Sequence, residues 1–178
     1  VLKPLLEDPC QVIAGQNLKY DINVLANYDI QWGAQVVDSM LQSYVLNSTA
    51  SRHNMDALAQ HYLDYQTVKY QDIAGKGVKQ LTFNQIDLEQ AGPYAAEDAA
   101  ITLRLTQYFA ACLAQEQSLL SVYETIEKPL IGVLSRMERI GALVDAKILG
   151  QQSQAIGARL TQLERDAYDL AGEVFNLA

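Results

Sequence analysis

The sequence predicts an α/β fold: a domain of two short strands and mostly helices, followed by an all-α segment. Two apolar runs of strand length, at residues 11–15 and 34–37, are each followed by apolar residues at helical spacing. From Ile126 onward apolar stripes recur every three or four positions, which indicates a helical segment. The polar stretch 115–118 separates the two parts, so we predict domains at residues 1–117 and 118–178.

The helices of the first domain follow from caps and periodicity. Asn17 is a suitable N-cap, and the helix after it carries an apolar stripe of Leu18, Ile22, Leu25 and Ala26. Asp38 is a suitable start for a helix that runs to about residue 46, and a further helix is predicted at residues 55–63. Residues 72–77 contain two glycines and no periodicity, so we expect a loop there.

Three longer helices complete the prediction. Pro93 suits the first position of a helix, whose face comprises Tyr94, Asp98, Ile101, Leu105, Phe109 and Cys112. In the second domain, Gly141 ends a helix with an apolar face of Ile126, Leu130, Val133, Met137 and Ile140. Asp145 caps the last helix, and the spacing of its stripe predicts packing against another helix. That stripe comprises Leu149, Ser153, Ile156, Leu160, Leu163, Ala167 and Leu170.

The charge balance argues against an ordinary nucleic-acid-binding protein. The net charge is −8 and the isoelectric point is near 4.6, whereas phosphate binding normally relies on clustered Lys and Arg. A metal-dependent nuclease would be an exception, because its carboxylates hold cations that reverse the local field. The only cysteines, Cys10 and Cys112, have no metal-ligand spacing, which favours a reducing cytoplasm.

Two aspartates lie in line with apolar stripes rather than opposite them. Asp98 is four residues after Tyr94 and three before Ile101, and Asp21 is similarly placed between Leu18 and Leu25. Burial of an ionised carboxylate is costly unless a cation or hydrogen bonds compensate it. If the two helices converge, the aspartates can share divalent metal. The alternative is that each carboxylate stabilises the dipole of a nearby helix start.

The motifs around these aspartates resemble a known family. Residues 17–21 read Asn-Leu-Lys-Tyr-Asp and residues 94–98 read Tyr-Ala-Ala-Glu-Asp, similar to the second and third exonuclease motifs of proofreading polymerases. With their surroundings they resemble the Klenow-type region of the bacterial DNA polymerase I family (family A), and the resemblance covers essentially the whole chain. The segments that carry it are 15–21, 38–41, 51–56, 81–86, 126–130 and 137–141.

The resemblance implies a ribonuclease H-like exonuclease domain followed by the first helices of a polymerase domain. It implies a two-metal hydrolysis of DNA with Mg²⁺, or else Mn²⁺ or Zn²⁺, in which Asp98 ligates the metal that activates the water and Asp21 supports the second metal through a bridging water. It also implies that Tyr94 orients the attacking water. The residues implied in binding the single-stranded 3′ end are Gln16, Asn17, Tyr20, Arg52 and Tyr70.

The sequence departs from the family pattern in one respect. The family's first motif, Asp-x-Glu, supplies two further carboxylates, and nothing before Asp21 matches it. The chain begins with Val1 rather than Met, so we expect an excised piece of a DNA polymerase that acts in replication and repair in the bacterial cytoplasm, at the nucleoid. We expect the piece itself to be inactive, to hold no metal stably, and either to self-associate or to be partly disordered in its first thirty or so residues.

Three other interpretations remain open at this point. A ribonuclease D-type exonuclease would share both motifs, although the polymerase-like sequence from Val122 onward argues against it. A non-catalytic helical scaffold would use the stripe of its last helix to bind a partner. A decayed exonuclease domain would serve only as a structural support.

Overall fold

Two parallel strands, β1 (Val12–Gly15) and β2 (Gln35–Asp38), form a sheet in the computed structural model, which describes residues 2–50 and 52–176. Val12 pairs with Gln35, and Gly15 pairs with Asp38. Helix α2 (Leu18–Ala26) connects the strands, as a parallel pair requires. Both predicted strands are confirmed within one residue. The α/β class is therefore confirmed in its coarse form, a mostly helical protein with a small parallel sheet.

The chain divides into two compact units, Val1–Ile140 and Gly141–Ala178. In the first unit the helices around the sheet are α1 (Lys3–Glu7), α2, α3 (Ser39–Leu46), α4 (Met55–Leu63), α5 (Tyr70–Ala74) and α6 (Leu88–Leu113). The predicted ends of α3 and α4 are confirmed. The main core lies between α4 and α6, and its buried members are Leu58, Ala59, Ile101, Leu105 and Phe109. The predicted apolar face of the long helix is therefore the face that packs.

Two local predictions were wrong. Pro93 lies inside α6 rather than at its first position, because the helix already begins at Leu88. The missing N–H of Pro93 leaves the carbonyl of Glu89 without its usual helical donor. Residues 72–77 are not entirely loop, since α5 extends to Ala74 and a 3₁₀ turn begins at Gly77. The glycines that suggested a loop do interrupt the helix, and Gly75 has a φ of +79°.

The chain from α7 (Gln117–Val122) to α8 (Lys128–Ile140) is helical throughout, with a π-helical segment at Tyr123–Glu127 between them. Pro129 follows the segment and cannot donate to the carbonyl of Thr125, a common cause of such irregularities. Helix α8 packs on α2 and β2, and it buries Ile131 and Ser135. The predicted apolar face lies elsewhere on the helix and is at least 37% exposed at each position: Ile126, Leu130, Val133, Met137 and Ile140.

The second unit contains one long helix, α9 (Ala146–Ala171). Its predicted N-cap is confirmed, because the Asp145 carboxylate accepts hydrogen bonds from the N–H groups of Lys147 and Ile148 at 3.0 Å each. The predicted stripe stays largely exposed, with Leu160 at 55%, although Phe175 lines a shallow cavity with Leu160, Leu163 and Ala167 near its end. Neither α9 nor any other helix in residues 2–50 and 52–176 is both long and apolar enough to cross a membrane.

Candidate functional site

A cleft of about 450 Å³ lies where the carboxyl end of β1 meets α2, α4 and α6. Its polar lining includes Gln16, Asp21 and Asp98. Gly15 ends the strand at the edge of the cleft, and a Cβ there would come within 2.3 Å of the Leu18 side chain. The absence of that Cβ lets α2 begin close to the strand. The two aspartates that lie in the apolar stripes thus face one cavity.

Asp98 carries a buried carboxylate oxygen, Oδ1, that has no hydrogen-bond partner among the described residues. Burial raises the pKa of the Asp98 carboxyl, and the nearby charges of Asp56 and Glu97 raise it further. A hydrogen bond from the Tyr94 hydroxyl acts in the opposite direction. An orphaned buried acceptor is unusual in a folded protein and calls for an explanation, and Asp98 is the one of three such groups among the described residues that lines this cleft.

Tyr94 lies one helical turn before Asp98 and is surrounded by aromatic rings. Its ring centroid is 6.2 Å from those of both Tyr70 and Phe83. Burial and the charges of Asp98 and Asp56 raise the pKa of the Tyr94 hydroxyl to about 12. The phenol therefore stays protonated at physiological pH and remains able to donate a hydrogen bond.

Asp21 faces the cleft from the first turn of α2. Burial is the main cause that raises the pKa of its carboxyl, and the charge of Asp38 adds to the shift. The Asp38 carboxylate accepts hydrogen bonds from four backbone N–H groups, of Asn17, Leu18, Met40 and Leu41, at 2.7–3.3 Å. It therefore caps α2 and α3 together. The sequence indicated only the second of these roles.

The predicted strand-binding residues do not all line the cleft. Gln16 does, and its amide donates to the backbone carbonyl of His53 at 2.8 Å. Asn17 precedes α2 with a φ of +60°, so its position as N-cap is confirmed but its side chain makes no capping bond. Tyr20 is 66% exposed on α2. Arg52 is exposed and adjacent to His53.

Tyr70 lies on α5 and reaches the site through Tyr94 rather than through the lining of the cleft. Its hydroxyl donates to the carbonyl of Leu81 at 2.9 Å while its ring contacts Tyr94. Phe83 joins the same aromatic group, and sequence reasoning did not select it. A signal was available, because Phe83 lies within the motif-like segment 81–86.

Two further carboxylates near Asp98 already have protein donors. Asp56 accepts from the Thr67 hydroxyl at 2.7 Å. Glu97 accepts from the Tyr65 hydroxyl at 2.7 Å and from the Val68 N–H at 2.8 Å. Within the described part of the chain no group of three or more His, Cys, Asp or Glu side chains is arranged to hold a metal ion.

Helix α8 fixes the position of α2 through polar contacts. Glu138 accepts hydrogen bonds from the ammonium of Lys19 and, at 2.7 Å, from the amide of Asn23. The Ser135 hydroxyl donates to the Asn23 side-chain oxygen at 2.6 Å. The helix that carries Tyr20 and Asp21 is therefore held from the face away from the cleft.

The comparisons with known proteins all indicate the same family. The sequence model of a 3′–5′ exonuclease domain of A-type DNA polymerases matches residues 1–114. DNA polymerase I of Pseudomonas aeruginosa is 58% identical over 99% of this chain, and that of Rhizobium leguminosarum is 43% identical over 99%. The chain spans about a fifth of the length of these relatives, 20% and 17% respectively.

A solved structure supports the fold. The POL domain of Pol1 from M. smegmatis, determined in complex with DNA primer-template and dNTP, matches with a TM-score of 0.72. The match covers 99% of this chain and 27% of that one, at 24% sequence identity. The fold agrees with the sequence comparison, and the chain belongs to the 3′–5′ exonuclease family of the A-type DNA polymerases.

Proposed function

We propose that the chain is part of a DNA-directed DNA polymerase and contributes to its 3′→5′ proofreading exonuclease. The observation that carries this proposal is the unpartnered, buried Oδ1 of Asp98 in a cleft that Asp21 also lines. Residues 1–117 would belong to the exonuclease domain, with a ribonuclease H-like fold, and residues 118–178 to the start of the polymerase domain. The substrate would be the single-stranded 3′ end of DNA.

The cleft fits a divalent cation. Mg²⁺ and Mn²⁺ prefer carboxylate oxygens, and a cation would supply the partner that Asp98 Oδ1 lacks. Asp98 and Asp21 would hold the metal, with Zn²⁺ as a further candidate. When bound, a pair of such ions would activate water and stabilise charge on the attacking and leaving oxygens of the phosphodiester. Tyr94 would orient the water, because its hydroxyl remains protonated beside Asp98.

Binding of the DNA end would use amide and aromatic groups. Gln16 and Asn17 lie beside the cleft at the start of α2. Tyr20, exposed on α2, and Tyr70, which contacts Tyr94, offer aromatic rings, and bases stack on such rings without strong sequence preference. Arg52 would contact the phosphate backbone. This assignment of binding roles accords with a site that must accept any terminal nucleotide.

The 178-residue chain by itself should be inactive. Asp56 and Glu97 are engaged with protein donors, which leaves Asp21 and Asp98 as the carboxylates available in the cleft. Two carboxylates are few for a site that binds a pair of cations. Among the described residues β1 pairs only with β2, and a strand added to the other edge of β1 would place further side chains at the same end of the sheet.

The proposal is tested in a polymerase that carries this sequence, by degradation of a labelled single-stranded oligonucleotide with Mg²⁺. Asp98→Asn and Asp21→Asn should each reduce the exonuclease rate by about a hundredfold or more, while nucleotide addition stays unchanged. Asp169→Asn, an exposed change on α9, is the matched control and should retain full activity. A normal exonuclease rate in Asp98→Asn would refute the proposal.

A further inference from the structure

A second cleft, of about 590 Å³, lies between α8 and the segment that includes β2. It shares no lining residue with the cleft of Asp21 and Asp98. Its lining contains three cationic side chains, Lys128, Arg136 and Arg139, and no carboxylate. The charge of the cleft lining is therefore positive, whereas the net charge of the whole chain is −8. A concave surface of one charge concentrates the field and attracts ions of the opposite charge.

The cations are arranged along one side of α8. Lys128 and Arg136 are separated by two helical turns, with Gly132 midway between them. A side chain at position 132 would meet only the Arg136 guanidinium, at 3.9 Å. The glycine therefore leaves the space between the charges open.

Two of the three charges have no carboxylate counterion in the part of the chain that the structure describes. Lys128 pairs with Glu124 on the preceding turn at 2.9 Å. Arg136 and Arg139 form no ion pair with a carboxylate among the described residues. Glu138 lies between them in sequence, but its carboxylate is bound to Lys19 and Asn23 on α2. Guanidinium groups are well suited to phosphate, because their donors match its oxygens in pairs.

The opposite wall adds an aromatic ring and one backbone donor. Trp32 lines the cleft, and its indole N–H donates to the carbonyl of Ala34 at 2.9 Å, which fixes the ring. The Asp38 N–H of β2 donates to Tyr123 rather than to β1. Since N–H groups alternate along a strand, that of Val36 also faces away from β1, toward the side where Val36 lines the cleft.

From these features we infer that the cleft between β2 and α8 binds a phosphate group, from a nucleotide or from a nucleic acid strand. Arg136 and Arg139 hold the phosphate, and Trp32 provides a surface for an attached base. The site needs no divalent metal and lies apart from the proposed exonuclease cleft. A test of phosphate binding is therefore independent of a test of the exonuclease.

The chain contains a single tryptophan, and Trp32 lines this cleft, so its fluorescence reports on binding there. Because Trp32 also lines a neighbouring cavity with Glu7 and Asp29, the arginine variants below assign the response to one cavity or the other. The 178-residue chain is titrated, without divalent metal, with inorganic phosphate, with a deoxynucleoside monophosphate and with a short single-stranded oligonucleotide. We expect a saturable change in Trp32 fluorescence with at least one of these three ligands. Saturation by the monophosphate identifies a nucleotide site, whereas a response to the oligonucleotide alone identifies a strand site.

The double variant Arg136→Gln/Arg139→Gln should weaken binding by about tenfold or more, since it removes charge-assisted hydrogen bonds. Gly132→Glu, which places a carboxylate between the charges, should weaken it similarly. The control Arg159→Gln/Arg165→Gln removes the same charge from α9 and should bind like the unmodified chain. Absence of a saturable response to all three ligands, or equal weakening in the control, would overturn the inference.

Discussion

At the scale of single residues, Asp38 is the side chain on which most of the site depends. Its carboxylate accepts from N–H groups at the starts of α2 and α3, and those donors are up to 21 residues away in sequence. The capping of α3 could be predicted, because Asp immediately before a helix is a common cap. The capping of α2 could not, since it depends on the pairing of β1 with β2 and no local pattern encodes it.

Replacement of Asp38 should therefore cost more than the loss of an ordinary cap. Asp38→Ala leaves buried N–H groups of two helices without an acceptor, and we expect the free energy of unfolding to fall by about 2–4 kcal/mol. Asn54→Ala, which removes the cap of α4 alone, should cost about 1 kcal/mol. Urea denaturation of both variants measures the difference, and equal losses would show that Asp38 does not act on both helices.

Tyr123 should give the protein a marked sensitivity to alkaline pH. Burial raises the pKa of its hydroxyl to about 12, from an ordinary value of 10.0. Between these two pH values the folded state keeps a proton that the unfolded state has lost, so stability falls as pH rises from about 10 to about 12. In Tyr123→Phe the free energy of unfolding should fall less steeply over this pH range than in the unmodified chain. The raised pKa of Tyr94 should still cause part of the fall. Tyr28→Phe, at an exposed position, is the control, and an identical slope in both variants would contradict the assignment.

At the scale of elements, α6 shows how sequence and structure differ. Its apolar periodicity predicted the buried face correctly, because Ile101, Leu105 and Phe109 do pack on α4. Its start was misplaced, because Pro93 is more common in a first turn than within a helix. The same periodicity could not reveal that α8 would bury Ile131 and Ser135 and leave its predicted apolar face exposed. The neighbouring element determines which face of a helix is buried, and the spacing of apolar residues alone does not predict it.

Pro93 should weaken α6, since it removes one backbone hydrogen bond from an otherwise regular helix. Pro93→Ala restores the donor to the carbonyl of Glu89 and should raise stability by about 1–3 kcal/mol. Gly92→Ala, at an exposed neighbouring position with no close contacts, should contribute only about 0.5–1 kcal/mol. Thermal unfolding measures the stability of both variants against that of the unmodified chain. A less stable Pro93→Ala variant would mean that the proline is required by the packing around Tyr94.

At the scale of the whole molecule, the two units leave apolar surface uncovered. Ile140 is 85% exposed in the first unit, and Leu170 is 90% exposed in the second. The free edge of β1 adds unpaired backbone groups among the described residues. Exposed stripes of this kind usually bind another surface. We therefore propose that the isolated chain self-associates, with the stripe of α9 as the contact.

Sedimentation velocity tests this proposal. Ile156→Lys/Leu163→Lys places two charges in the stripe and should shift the chain toward monomer. Gln151→Lys/Gln154→Lys adds the same charge to the same helix outside the stripe and should not. A monomeric unmodified chain at all concentrations, or equal dissociation in both variants, would contradict it.

The central claim is that Asp98 and Asp21 form a cation site, and paramagnetic broadening by Mn²⁺ tests it most directly. Nuclear magnetic resonance detects even weak binding, so the measurement suits a chain that need not hold metal tightly. We expect Mn²⁺ to broaden selectively the amide signals of cleft residues, such as Gly15 and Thr102, and Asp98→Asn to abolish the effect. Broadening centred elsewhere, or unchanged in Asp98→Asn, would contradict it.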